Sequence, residues 1–320
     1  MSSYIIRRTL TVIPMLIAIS ALLFILMNMA PGGPEQVMIG DMERYSPRLV
    51  EHIREQFGLD QPLHIRFGRW LWNALRGDFG VSTTQAGGVK VFDMVAARIG
   101  ATVQLNGTAL FLSVLVGVPL GIITAVYRYS LLDKFATVFA FLGICFPTFW
   151  LGVMLMLLFG IVLGWLPVSG IAPPGMRGAF WPSVYHAILP SFTLAFVGMG
   201  RYTRYTRSSI LEVLRHDYIR TARAKGLSER VVLFRHALRN SLISVVTVIG
   251  LSLPALVGGS IMVEMVFAWP GMGRLAVMSI QRRDYAVVMG VQLVIATAVL
   301  VANVLVDVIY AWIDPRITYS

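Results

Sequence analysis

The sequence predicts an all-α protein that crosses a membrane six times, and three observations carry that expectation. Of the 320 residues, 57% are apolar and only 13% are charged, with a mean hydropathy of +0.73. A soluble domain of that composition would expose far too much apolar surface. Apolar runs of about 20 residues recur along the chain, the length a helix needs to cross a bilayer. Lys and Arg gather between alternate runs, and such an excess marks the segments that stay in the cytoplasm.

The first run spans residues 10–29, behind Arg7 and Arg8. It is longer than the core of a signal peptide, about 7–15 residues, and no small-residue cleavage site follows. It is expected to be a retained first span, so that residues 1–30 form an N-terminal segment with its end in the cytoplasm. Pro31-Gly32-Gly33-Pro34 then stops the helix. Residues 31–100 form a long extracytoplasmic segment in which eight basic residues balance eight acidic ones. Within it, Phe67, Trp70, Leu71 and Leu75 recur at helical spacing and predict a small amphipathic helical cap.

Residues 101–320 form the core, with five further spans. The second covers 101–127, and Arg128 and Lys134 place the following turn inside. The third covers 135–163, where Pro147 removes a backbone donor and should kink the helix. Residues 165–186 return outside, with Arg177 as the only charge. The fourth span, 187–200, is short and is expected to run on past the membrane through Arg201, Arg204 and Arg207. Three arginines at that spacing could form a voltage-sensor stripe. The polar residues on both sides favour instead a basic face turned to anionic headgroups.

The loop from 208 to 240 is the most polar run in the chain. From Arg201 to Arg239 there are ten Lys and Arg against three acids. Residues 219–225 favour a helix, and Gly226 is placed as its stop. Ser228 is positioned to cap a second short helix with Glu229 in its first turn and Val231, Val232, Phe234 and Leu238 as apolar positions. Ala222 and Gly226 would share one outward face if the first helix continued. The fifth span, 242–265, is interrupted by Pro254, Gly258 and Gly259, and the sixth covers 286–313. Short inner segments then hold 15 Lys and Arg against 4 in the short outer loops. That asymmetry predicts both termini inside.

Several chemistries find no support. Cys145 is the only cysteine, so there is no intrachain disulfide or cysteine metal site. No G-x-x-x-x-G-K-[ST] run occurs, so the chain has no P-loop, and no G-x-S-x-G nucleophile elbow occurs either. The five histidines all avoid the middle of a span, which argues against a proton relay or a metal site. No enzymatic activity, catalytic residue or cofactor is expected in this chain. The net charge of +11 is accounted for by membrane orientation rather than by nucleic acid. The intramembrane polar candidates for a translocation path are Gln104, Asn106, Gln292 and Glu264, with Pro147 at the kink. Asn303 and Asp307 are also intramembrane, with Asp307 near the inner end, where it should snorkel or pair with an arginine.

The run Tyr218-Ile219-Arg220-Thr221-Ala222-Arg223-Ala224-Lys225-Gly226-Leu227, followed by His236, Leu238, Arg239 and Asn240, resembles the coupling loop of ABC-importer permeases. It is most similar to the dipeptide/oligopeptide branch. The general family loop opens Glu-Ala-Ala, and here Arg220, Thr221 and Ala222 stand in those places, a departure that the peptide branch shares. Phe57–Pro62, Trp70-Leu71, Gly77–Gly80, and Glu264–Gly273 with Arg283-Asp284-Tyr285 resemble external segments of that branch. Gly33 stands where the branch usually has Asp. The resemblance covers residues 4–318.

It implies a type I ABC-importer permease fold in a bacterial-type inner membrane. It also implies a second, similar permease, two cytoplasmic ATPase subunits and an external solute-binding protein as partners. Arg220, Thr221, Ala222, Arg223, Ala224, Lys225, Gly226 and Leu227 would then couple ATPase movement to the spans. Its cargo would be dipeptides or oligopeptides, with glutathione-like solutes and metal chelates as further possibilities. The competing class is a secondary transporter or channel without ATPase partners, which would need ion-coupled intramembrane charges and an internal repeat. Neither is evident in the sequence.

Overall fold

The computed structural model describes residues 2–29, 61–84, 88–173, 175–176 and 178–313. The Pro31–Pro34 helix stop, most of the 57–62 motif and Arg177 lie outside the described residues. Within them the regular structure is helical, apart from one isolated bridge between Val81 and Lys90. The helices are α1 (Ser2–Met29), α2 (Leu63–Leu75), α3 (Val91–Val126), α4 (Leu131–Cys145), α5 (Thr148–Leu155), α6 (Phe180–Val213) and α7 (Asp217–Ala224). They continue with α8 (Leu238–Gly250), α9 (Ala255–Gly258), α10 (Ile261–Val266), α11 (Met272–Gln281) and α12 (Tyr285–Ile313). Among the described residues five helical segments are long and apolar enough to cross a membrane, or six if the bent pair Leu131–Cys145 and Thr148–Val162 counts as one.

The chain divides into two compact units, Met1–Thr102 with Pro270–Ser320, and Val103–Trp269. In the first unit α1 packs along α12, and Arg8 Nε lies 2.6 Å from Asp307 Oδ2. Asp307 therefore does pair with an arginine, and the pair brings the start of the first helix to the end of the last. On α2, Phe67 and Trp70 turn inward against Phe24, with ring centroids 5.6 and 6.4 Å from it. Leu75 leaves that face and is 75% exposed, while Ala74 is buried in its place. The core of this unit gathers Val91, Val95, Met272, Val287 and Val291. Asp284, 1% exposed, stands before the first turn of α12. It accepts hydrogen bonds from Ser82 Oγ, from Thr84 Oγ1 at 2.9 Å, and from the backbone N–H groups of Thr83, Thr84 and Val287. One buried carboxylate thus ties the segment after α2 to the last helix.

In the second unit α3 and α4 pack on α6 through glycines, the small-residue contact that membrane helices use to bring backbones together. A Cβ at Gly117 would stand 2.9 Å from the Met199 carbonyl oxygen, and one at Gly121 2.5 Å from Thr206 Cβ. Gly143 faces the Phe196 carbonyl in the same way at 2.7 Å. Side-chain hydroxyls finish these contacts. Thr203 Oγ1 donates to the Gly117 carbonyl at 3.2 Å, and Tyr202 OH donates to Ser252 Oγ at 2.9 Å.

Four expected spans have different bounds. The second starts at Val91, ten residues before 101, because 91–100 is already a helix with Asp93 in its first turn. The third does not merely kink at Pro147. It breaks at Phe146–Pro147 into α4 and a second segment, Thr148–Val162, at 106° to it, in which α5 passes into a π-helix at Met156–Val162. The fourth starts at Phe180, inside the expected outer loop, and runs 34 residues to Val213, carrying the arginines past the apolar stretch as expected. The fifth is in pieces. α8 ends in turns at Leu251–Pro254, α9 follows, and Gly259 at φ 75° separates it from α10. The left-handed backbone at Gly259 is a conformation that a residue with a Cβ adopts at a cost.

Candidate functional site

The polar loop after α6 folds as a small elbow with a core of its own. α7 ends where Gly226 takes φ 78°, and the N–H of Leu227 reaches back to the Ala222 carbonyl at 3.4 Å. This is a helix stop of the kind expected from a glycine just past a helix end. Ser228 then opens the second arm with extended backbone, and its carbonyl accepts from the N–H groups of Val231 and Val232 at 2.9 and 3.0 Å. Its hydroxyl makes no cap hydrogen bond, contrary to expectation. Glu229 instead grips Arg223 across the bend, with Nε–Oε1 at 2.7 Å and Nη2–Oε2 at 3.1 Å. The Glu229 hydrogen bonds raise the Arg223 guanidinium above its ordinary pKa. The pair is exposed, so salt screens it and its stabilisation is small.

The second arm is Glu229–Val231 followed by a π-helix, Val232–Ala237, that leads into α8. Wider π winding places Val232 and Ala237, five apart, on the buried side. Phe234 and Val231, two of the apolar positions named for this arm, are 54% and 37% exposed. Val232 and Ala237 close with Ile219 and Ala222 into a buried cluster, against which Val213 and Leu214 pack. Tyr218 OH accepts from Asn240 Nδ2 at 2.9 Å, joining the start of the elbow to the start of α8.

Of the eight expected coupling residues, Arg220, Thr221, Arg223, Ala224, Lys225, Gly226 and Leu227 are exposed. Ala222 is the exception. It is 6% exposed and belongs to the internal cluster, so it shares no outward face with Gly226. The reason is that α7 stops at Ala224, before the four-residue spacing can be completed. The large apolar side chains exposed here are Tyr218, Leu227, Val231 and Phe234. The elbow is therefore a packed knob with a mixed basic and apolar outer surface.

The five translocation-path candidates are spread over several elements. Gln104 and Asn106 are half-buried on α3, Pro147 is exposed at the break before α5, and Glu264 is fully buried in α10. Gln292 is half-buried on α12, in the other unit.

One functional-looking pair escaped the sequence. Asp133, 4% exposed at the start of α4, accepts from Arg207 Nη2 at 3.0 Å, from the Tyr129 N–H at 2.9 Å and from Thr137 Oγ1 at 3.3 Å. Ser130 and Asp133 are spaced as a capping pair, and Ser130 Oγ accepts from the Asp133 N–H. That signal was available, whereas the arginine partner, 74 residues on, was not.

Comparison with known proteins follows the same lines as the geometry. The model of the binding-protein-dependent transport system inner membrane component matches residues 117–319. The model of the N-terminal part of that component matches residues 1–105. The chain belongs to this family. Over its full length it is 41% identical to the oligopeptide transport system permease protein AppB of Bacillus subtilis (strain 168), and covers all of it. It is 42% identical, again with full coverage of both chains, to the glutathione transport system permease protein GsiC of Escherichia coli (strain K12). Its fold is similar to that of a chain of the MetNI methionine ABC transporter, solved in inward-facing conformations. The TM-score there is 0.55 at 17% identity, over 69% of this chain and 96% of that one. The protein is thus a multi-pass inner-membrane permease subunit of an ABC importer, and a permease of this family works with ATPase subunits and a solute-binding protein.

Proposed function

We propose that this permease takes up oligopeptides or glutathione-like peptides handed over by an external binding protein, with the elbow as the seat of the ATPase subunits. The observation that supports the cargo best is the full-length identity of 41–42% to permeases named for oligopeptide and glutathione transport. The elbow supports the coupling role. Seven of its eight candidate residues face outward from a packed cluster, so a push on its surface is passed to α6 and α8 as to a rigid lever. In this reading the chain pairs with a second permease, both its termini lie in the cytoplasm, and ATP is bound only by the partners. Gln104, Asn106, Pro147, Glu264 and Gln292 remain, each taken by itself, the candidates for lining the translocation route.

The test is uptake of labelled oligopeptide and of glutathione into vesicles carrying the whole complex, with ATP inside the ATPase compartment. ATP-dependent accumulation of either peptide is expected. Accumulation that follows an ion gradient and ignores ATP would contradict the proposal.

A further inference from the structure

On α6, Arg201 and Arg204 line a cleft of about 430 Å³, with Tyr205 and Ser208 beside them and Ile144 of α4 as an apolar wall. Arg204 and Ser208 also line a second cleft of about 420 Å³, walled by Phe141. Among the described residues neither Arg201 nor Arg204 has an ion-pair or hydrogen-bond partner, whereas Arg207 is held by Asp133. The Cα atoms of Arg204 and Arg201 lie about 4.5 and 9 Å along the helix axis from that of Arg207, at 1.5 Å per residue. Beside them α4 turns an apolar face outward, with Phe135, Val138 and Phe141 at 76%, 56% and 62% exposure. Charged side chains next to such a face need a counter-charge, and basic pockets between membrane helices supply one by taking an anionic headgroup.

We propose that Arg201 and Arg204 hold the phosphate of an anionic glycerophospholipid, with Tyr205 and Ser208 donating to its oxygens. Its acyl chains lie along Phe141 and Ile144. Three features match one amphipathic ligand: two unpaired cations, adjacent hydroxyl donors, and an apolar wall open to the outside. The site does not depend on the cargo or on the ATPase partners, so its failure would leave the transport reading untouched.

The experiment is native mass spectrometry of the full chain in detergent, titrated with phosphatidylglycerol or phosphatidylcholine. Two arginines at a membrane surface should favour the anionic lipid by about thirty-fold. The Arg201→Ala/Arg204→Ala double variant should lose that preference, and Arg230→Ala, an exposed arginine of the elbow, should keep it. Equal retention of the two lipids by the unaltered chain would overturn the proposal, as would an unchanged preference in the double variant. Displacement of the lipid by millimolar inorganic phosphate would overturn it too, in favour of a free-anion site. Should the double variant not accumulate, Arg204→Gln removes the arginine common to both clefts and is judged by the same two outcomes.

Discussion

At Gly200, in the α4–α6 interface, an added Cβ would stand 2.4 Å from the Ala140 carbonyl oxygen. At Gly226, in the elbow, it would meet nothing within 4 Å, yet φ is 78°. One glycine is needed for space and the other for conformation. The difference extends to the regions around them. Between the spans, backbone lies against backbone and hardly any volume can be added. The elbow has a small cluster of its own beneath an exposed surface, so its outside can change while its fold persists. This separates a tightly packed part from a part whose surface is free to vary.

The largest effect should come from Gly200→Val. The clash is with backbone, which cannot swing away as a side-chain tip can, and a cost of about 3 kcal/mol or more is expected. Thermal unfolding of the solubilised protein and its abundance in membranes are the measurements, and an unaltered melting profile would break the comparison. Next in size, Asp133→Ala leaves Arg207 without its partner and the Tyr129 N–H without its acceptor. A loss of about 2 kcal/mol is expected in the same assay. Because Arg207 is 30% exposed, water recovers part of what a fully buried pair would forfeit.

Ala222→Glu sharpens the contrast from the other side. It forces a carboxylate against Ile219, Val232 and Ala237, at about 1–2 kcal/mol. The damage should be confined to the elbow: faster proteolysis within residues 217–240, with the unfolding of the spans unmoved. Smallest of all, Gly226→Ala should cost about 1 kcal/mol, the strain of a left-handed backbone with no steric clash added. Equal costs for Gly226→Ala and Gly200→Val would erase the distinction between the two regions.

Much of this was legible in the sequence, and the exceptions have physical causes. Hydropathy locates spans because the bilayer imposes one length on all of them. It locates their ends poorly. Val91–Gly100 and Phe180–His186 are helical beyond any apolar run, since a helix need not stop where its apolar stretch does. Pro147 announced a bend, but whether a proline kinks a helix or ends it depends on what the freed backbone finds nearby. At Gly226 a glycine after a helical run was enough to place the stop. Ala222 was misjudged because periodicity was continued past the end of α7, and the π-turn leaves Val231 and Phe234, two apolar positions of the second arm, exposed. Asp133 and Arg207 lie too far apart in the chain for any local pattern to join them.

The central claim is that the elbow surface serves docking and not folding, and Leu227→Asp addresses it most directly. Leu227 is 40% exposed just past the Gly226 turn, outside the internal cluster. The measurement is co-purification of the ATPase subunits with the tagged permease from membranes, with permease abundance and melting profile recorded alongside. The account predicts loss of most of the ATPase from the Leu227→Asp complex, with abundance and melting unchanged. Full ATPase recovery and normal ATP-dependent uptake in that variant would contradict it.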